Sequence, residues 1–169
     1  YNAIDRVNRD GGVETFGGEG DRLSADYLGA VALSERARII AGAEAERTSV
    51  IVSGVDEDAS AGAVFAIMVV KPLDGLTLSA GARRDEFSNF DGATTARVAA
   101  AWAAPGGFVL RGSWGQGFRA PTLFELNFDQ FGTIPNPDLQ PERANGFDIG
   151  VERRFSSNDV NATLRATFF

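Results

Sequence analysis

The sequence has no cysteine and no histidine among its 169 residues. These two absences exclude disulfides, thiol nucleophiles, Cys/His zinc sites and any catalytic triad that is centred on histidine. No apolar run approaches the roughly 18 to 20 residues that a membrane-spanning helix requires. Basic residues are also too few for a broad nucleic-acid-binding face, because 16 Lys+Arg stand against 23 Asp+Glu and the net charge is -7. Nucleic acid is therefore not expected as a partner.

What the sequence does contain is a repeated alternation of apolar and polar residues, which predicts β-strands. The eight predicted strands cover about 22–33, 37–48, 61–70, 76–86, 94–103, 108–117, 145–155 and 160–169. Tight turns at 34–37, 71–75, 104–107 and 156–159 alternate with longer connections at 49–60, 87–93 and 118–144. Before them, Tyr1 is predicted to lie inside a preceding strand, with 9–21 as the loop that follows it. The pattern predicts an antiparallel up-and-down sheet with all tight turns at one end and all long loops at the other.

Alternation alone fits either a soluble β-sandwich with its apolar face inside or a membrane barrel with its apolar face outside. The predicted strands have about ten residues, and at about 3.3 Å each with a tilt of about 40° they rise roughly 25 Å, the height of an outer-membrane apolar band. Glu44, Arg83, Arg111 and Glu152 also lie near strand centres on the polar faces. Charges at strand centres suit a hydrated lumen, so the pattern favours an all-β transmembrane barrel.

The stretch "GQGFRAPTLFELNFDQFGTIPNPDLQPE", from Gly115 to Glu142, interrupts the alternation and holds four of the six prolines. It resembles the C-terminal half of the barrel in TonB-dependent outer-membrane receptors. In that family a strand ends in a Gly-aromatic-Arg/Lys-Ala-Pro element, and an Asn-Pro-x-Leu-x-Pro-Glu element precedes the next strand. The residues that carry the resemblance here are Gly117, Phe118, Arg119, Ala120, Pro121, Glu125, Asn136, Pro137, Leu139, Pro141 and Glu142.

The resemblance implies active uptake of a scarce nutrient across the bacterial outer membrane, with no catalysis. Cobalamin or a ferric siderophore would be the ligand, and cobalamin is slightly favoured. The implied partners are TonB, the plug domain of the full-length receptor, outer-membrane lipid and the small nutrient. Because such barrels close about 22 strands around a plugged lumen, residues 1–169 are expected to be part of one barrel domain, an internal or C-terminal-half fragment without the plug.

Within the long connection, prolines deny a strand ladder its donors and bias the preceding residues to extended or turn conformations. Most of the motif residues are therefore expected to shape the loop. Arg119 is a candidate to pair with Glu125, with Glu142 or with a plug carboxylate, or to meet an anionic ligand. Phe128 and Phe131 are the candidates for ligand contact.

Two further readings of the acidic residues are weaker. Asp56 and Asp58 lie in the predicted external loop 49–60, where they could help to hold calcium, although a hard cation needs six or more oxygens. Carboxylate pairs such as Glu44 with Glu46 are explained by a polar lumen wall without catalysis. Two alternatives to transport remain open: a self-contained small outer-membrane barrel with a structural or adhesion role, since eight strands suffice to close one, and a soluble binding domain.

Overall fold

A computed structural model describes residues 2–10, 13–52, 55–127, 134–157 and 160–169. These residues form one antiparallel sheet in which each strand pairs with its neighbours in chain order. The strands are β1 Asn2–Asp10, β2 Val13–Ser34, β3 Ala37–Val52, β4 Val55–Leu73, β5 Leu76–Phe87, β6 Ala93–Ala104, β7 Phe108–Arg119, β8 Glu142–Ser157 and β9 Val160–Phe168. A single 3-10 turn at Pro105–Gly107 and the short helix α1, Leu123–Asn127, complete the described elements.

The predicted alternation of short and long connections is confirmed only in part, because two residues separate β1 from β2 and two separate β3 from β4, where long loops were predicted. The tight connections after β2, β4, β6 and β8 lie at one end of the sheet, and the connections after β5 and β7 at the other end are long. The turn after β6 uses Gly106 and Gly107 with φ of 79° and 77°, a region that residues with a Cβ rarely adopt. Gly75, with φ 80°, does the same after β4. No helix in the described ranges is long and apolar enough to cross a membrane.

Two predicted loops are wrong, because the structure continues the strands through them. The predicted loop 49–60 is divided between β3 and β4, whose register runs to Val52 opposite Val55. The predicted loop 9–21 is occupied largely by the end of β1 and by β2, whereas β1 agrees with the strand predicted to precede the eight, although Tyr1 itself lies outside the described residues. Each strand of a hairpin supplies the backbone partners of the other, so glycine and polar residues remain extended when a paired strand continues beside them. With 22 residues, β2 is about 70 Å long, far more than an apolar band of about 25 Å.

The two faces of the sheet differ as the alternation predicts. Most of the large exposed apolar side chains lie on one face, although Leu28 lies on the other. Those on the one face include Leu23, Tyr27, Val31, Leu33, Ile51, Val64, Met68, Leu78, Val98, Trp102, Phe108, Leu110, Trp114, Phe147, Ile149, Val151, Phe155, Leu164 and Phe168. We call this the apolar face and the opposite one the polar face. Among the described residues the buried apolar side chains are Ala63, Ala93 and Leu126. A single layer with so little core does not provide the packed second layer that a soluble sandwich needs.

Candidate functional site

The connection from β7 to β8 begins with a reciprocal hydrogen-bond pair at the start of α1. The Thr122 hydroxyl accepts from the Glu125 backbone N–H at 3.2 Å, and the Glu125 carboxylate accepts from the Thr122 backbone N–H at 2.8 Å. The Thr122 hydroxyl also donates to the same carboxylate at 2.9 Å. This is the capping box expected of a Thr-x-x-Glu sequence at a helix start. It explains why Thr122 and Glu125 begin a helix immediately after Pro121.

Arg119, the last residue of β7, ties this helix to the next strand. Its guanidinium donates to Glu125 at 2.7 Å and to Glu142 at 3.4 Å, and Arg119 and Glu142 are also register partners. The Thr122 backbone N–H, followed by the Arg119 guanidinium, lowers the pKa of Glu125 to about 2. Arg119 thus bonds two of the partners considered from the sequence, and we call Arg119, Thr122, Glu125 and Glu142 the loop clasp.

The Asn-Pro element closes the loop from its other side. The Asn136 N–H donates to the Glu125 carbonyl at 3.0 Å, and the Asn136 side-chain oxygen accepts from the Asp138 N–H at 3.0 Å. The Leu139 N–H donates to the Asn136 carbonyl at 3.3 Å, so Pro137 occupies the second position of a β-turn, which its fixed φ suits. The two sequence elements, 17 residues apart at Arg119 and Asn136, therefore meet at Glu125.

The remaining motif residues lie around this contact. Gly117 and Phe118 end β7, Ala120 and Pro121 connect it to α1, and Leu139 and Pro141 lead into β8. The Phe118 ring lies 5.7 Å from that of Phe87, which stacks on Phe90 at 4.4 Å. This aromatic group packs the end of β7 against the end of β5 and the connection that follows it. Phe128 and Phe131 lie outside the described residues.

Below the loop, the polar face carries an ion cluster centred on Arg83. Its guanidinium donates to Glu44 at 2.6 Å and to Asp85 at 2.9 Å, and its guanidinium carbon lies 5.8 Å from the centre of the Phe65 ring. Asp85 is buried, whereas Arg83 and Glu44 remain partly exposed along a groove of about 520 Å³. Both carboxylates are thus paired with the same guanidinium.

A second cluster lies on the polar face nearer the tight turns. The buried Glu152 carboxylate accepts from Arg154 at 2.8 Å and from Arg165 at 2.7 Å. Nearby, the Ser113 hydroxyl donates to Asp148. A buried carboxylate with two cationic donors is a satisfied structural group, so this cluster, like the one around Arg83, gives the polar face fixed and paired charges.

Sequence reasoning placed charges on this face but did not find the clusters. Arg83 with Asp85, and Glu152 with Arg154, are two residues apart on one strand, a spacing that puts both on one face. That spacing could have indicated the pairs. Glu44 is 39 positions from Arg83, and only the register between β3, β4 and β5 brings the two together.

The acidic residues considered for calcium lie in β4, not in an external loop, because β3 continues beside them. Asp58 accepts a hydrogen bond from Arg47 at 3.0 Å. No group of three or more carboxylates in the described ranges is arranged to hold a metal ion. Calcium at Asp56 and Asp58 stays a prediction.

Comparison with known proteins agrees with this architecture. Residues 8–169 match the sequence model of a family described as TonB dependent receptor-like, beta-barrel. Three solved structures with the same fold are the siderophore receptor PirA from Pseudomonas aeruginosa, the hemophore receptor HasR from Serratia marcescens in complex with its hemophore HasA and heme, and the FrpB iron transporter from Neisseria meningitidis.

These structures are distant in sequence but similar in shape. PirA is 20% identical with a TM-score of 0.74, over 83% of this chain and 29% of its own. HasR is 16% identical with a TM-score of 0.63, over 85% of this chain and 31% of its own. FrpB is 11% identical with a TM-score of 0.68, over 92% of this chain and 30% of its own. The chain thus spans less than a third of each, and the family match over almost all of its length shows that it belongs to the TonB-dependent receptor-like β-barrels.

Proposed function

We propose that this chain is part of the barrel of a TonB-dependent receptor that imports a scarce nutrient across the bacterial outer membrane. The observation that carries the proposal is the single-layer sheet of a matched barrel family, with exposed apolar side chains on one face and ion clusters on the other. The apolar face would meet lipid, and the polar face would line a hydrated lumen. The tight turns would lie in the periplasm and the loop clasp outside the cell.

The nutrient is proposed as a ferric siderophore, with cobalamin as the second candidate. The similar structures are a siderophore receptor, a hemophore receptor and an iron transporter by their names, which supports the proposal of an iron-bearing ligand ahead of cobalamin. Phe128 and Phe131 are the proposed ligand contacts of the long loop. Arg119 is proposed to order that loop, because both nitrogens at the end of its guanidinium are bonded to carboxylates.

Transport in this scheme needs parts beyond these residues. A plug would fill the lumen, and TonB would release it after ligand binding, with energy from the inner membrane. The clusters around Arg83 and Glu152 offer the plug a fixed polar wall with satisfied charges. The chain itself performs binding and enclosure and no covalent chemistry, in keeping with a family of transport receptors.

The alternative, a self-contained small barrel, is not favoured. In the described residues β1 and β9 are the two edges of an open sheet, and the family match extends over residues 8–169. A closed small barrel would pair its first strand with its last.

Nutrient uptake by a bacterial strain that lacks the gene for this receptor tests the proposal. Uptake is measured with and without the receptor supplied to that strain. We expect TonB-dependent accumulation of radioactive iron from a ferric siderophore, and none in a strain without TonB. If cobalamin accumulated instead, the proposed ligand would be wrong and the proposed transport mechanism would stand. Equal uptake with and without the receptor for both nutrients would contradict transport of either.

A further inference from the structure

Arg153 interrupts the apolar face of β8 near the tight-turn end of the sheet. Its register partners are Phe108 and Leu164. The guanidinium carbon lies 4.8 Å from the ring centre of Phe108 and 4.6 Å from that of Phe155, within the roughly 6 Å over which an aromatic ring attracts a cation. Two rings therefore hold an exposed cation in place on a face that is otherwise apolar here.

Arg153 has no carboxylate partner within the part of the chain that the structure describes. Glu152, its neighbour in sequence, lies on the opposite face and is bonded to Arg154 and Arg165. The guanidinium of Arg153 therefore keeps N–H donors available, in a planar fork that matches the oxygens of a phosphate. A cation of this kind, fixed but without an anion, indicates a ligand that brings its own negative charge.

A groove of about 490 Å³ opens on the apolar face directly beyond Arg153. Leu110 and Val151 form the next register pair on this face after Phe108 and Arg153. The apolar-face residues that line the groove are Ala100, Trp102, Leu110, Gly112, Ile149, Val151, Ala166 and Phe168. Small side chains at Ala100, Gly112 and Ala166 leave the depression between larger neighbours. The groove thus offers apolar contact to a chain whose charged end lies at Arg153.

We propose that Arg153 and this groove bind one anionic glycerophospholipid of the leaflet that faces the periplasm. The phosphate bonds the Arg153 guanidinium, and an acyl chain lies in the groove. The inference rests on the proposed function, because the tight turns must face the periplasm for Arg153 to lie at that interface. Phe108, Phe155 and Trp102 are placed where an interfacial aromatic girdle is expected, which matches the depth of a lipid phosphate. A free phosphate ion would leave the groove unfilled.

Native mass spectrometry of the detergent-purified receptor that contains this chain, titrated with phosphatidylglycerol, tests the site. We expect Arg153→Gln to weaken the tightest lipid association roughly five- to tenfold, the range for loss of one interfacial arginine. Ala166→Leu should weaken it as well, by filling the groove without a change of charge. Arg143→Gln is the matched control, because Arg143 is exposed on the same face of β8 at its opposite end, and it should bind lipid as the unchanged receptor does.

Three results would overturn the lipid site. They are equal phosphatidylglycerol affinity in the Arg153 and Arg143 variants, equally tight binding of diacylglycerol, which has no phosphate, and displacement of the lipid by inorganic phosphate at equal concentration. Outer-membrane fractionation and a heat-modifiable band, measured for every variant, report barrel assembly separately. An assembled, importing receptor with unchanged lipid binding in Arg153→Gln refutes this site alone, whereas absence of the unchanged receptor from the outer membrane refutes both proposals.

Discussion

At the scale of single residues, Arg119 joins the start of α1 to the first residue of β8 through Glu125 and Glu142. Its charge and its place beside a proline-rich connection indicated a partner, and Glu125 and Glu142 were both candidates. The bond to Glu142 depends on the β7–β8 register, which the sequence does not specify across an intervening connection of 22 residues. The hydrogen bonds between Thr122 and Glu125 could have been predicted from the sequence, since Thr-x-x-Glu is a recognised capping pattern.

Thr122→Ala removes the hydroxyl that caps α1. Loss of an N-cap side chain costs about 1 kcal/mol, so we expect about fivefold faster amide exchange at the start of α1, with β7 and β8 unchanged. Hydrogen exchange with mass spectrometry on the receptor measures this. Thr163→Ala, at an exposed position of β9, is the control and should exchange as the unchanged protein does. Equal rates at α1 in both variants would show that the cap does not hold the helix.

The loop clasp also has a defined pH dependence. Glu125 has its pKa lowered to about 2 by the Thr122 N–H and then by Arg119. A carboxyl whose pKa is lower in the folded loop stabilises that loop above its ordinary pKa near 4.5, and the stabilisation declines as the pH falls toward 2. We therefore expect the loop to be equally ordered at pH 7 and pH 5.

A ¹³C titration of the labelled glutamate carboxyls measures this directly, with Glu125→Gln identifying the signal. The Glu125 signal should move at about pH 2, well below those of exposed glutamates. A Glu125 midpoint near 4.5 would mean that the clasp does not form in the receptor.

At the scale of strands, the predicted rhythm was correct at the four tight turns, and wrong where the hairpins of β1 with β2 and of β3 with β4 continue through predicted loops. Residues 49–60 contain Asp56 to Asp58 and looked like a solvated loop, but β3 and β4 pair through them. The segment 61–70, apolar on both faces in the sequence, fits because Phe65 on the polar face lies against Arg83. Alternation of apolar and polar residues indicates the two faces of a strand. Only the pairing with neighbouring strands indicates where the strand ends.

Adjacent residues of β6 test the assignment of the faces. Val98 is exposed on the apolar face, and Ala99 on the polar face lies between Ser79 and Ser113 in the register. An arginine on the lipid face near mid-bilayer costs roughly 2 to 4 kcal/mol. Val98→Arg should therefore greatly reduce the heat-modifiable, folded band of the receptor, and Ala99→Arg should leave most of it. If Ala99→Arg were the more damaging change, the assignment of the two faces to lipid and lumen would have to be reversed.

At the scale of the whole molecule, the sheet has two unpaired edges. Among the described residues β1 and β9 each pair on one side only. In a bilayer no water satisfies the free N–H and C=O groups of an edge, and each unsatisfied group costs several kcal/mol. The sequence indicated this through its strand number, which falls far below the roughly 22 of the transporters it resembles.

Residues 1–169 expressed alone should consequently fail to form a stable closed barrel. We expect no heat-modifiable band and rapid proteolysis in detergent or liposomes, while the receptor that contains them gives a resistant band under the same conditions. The edges β1 and β9 would have to pair with each other for the piece to close, and this ninth pair would be parallel beside the eight antiparallel pairs. A resistant, heat-modifiable band from the isolated 169 residues would show that this pairing occurs, and would revive the small barrel as an independent unit.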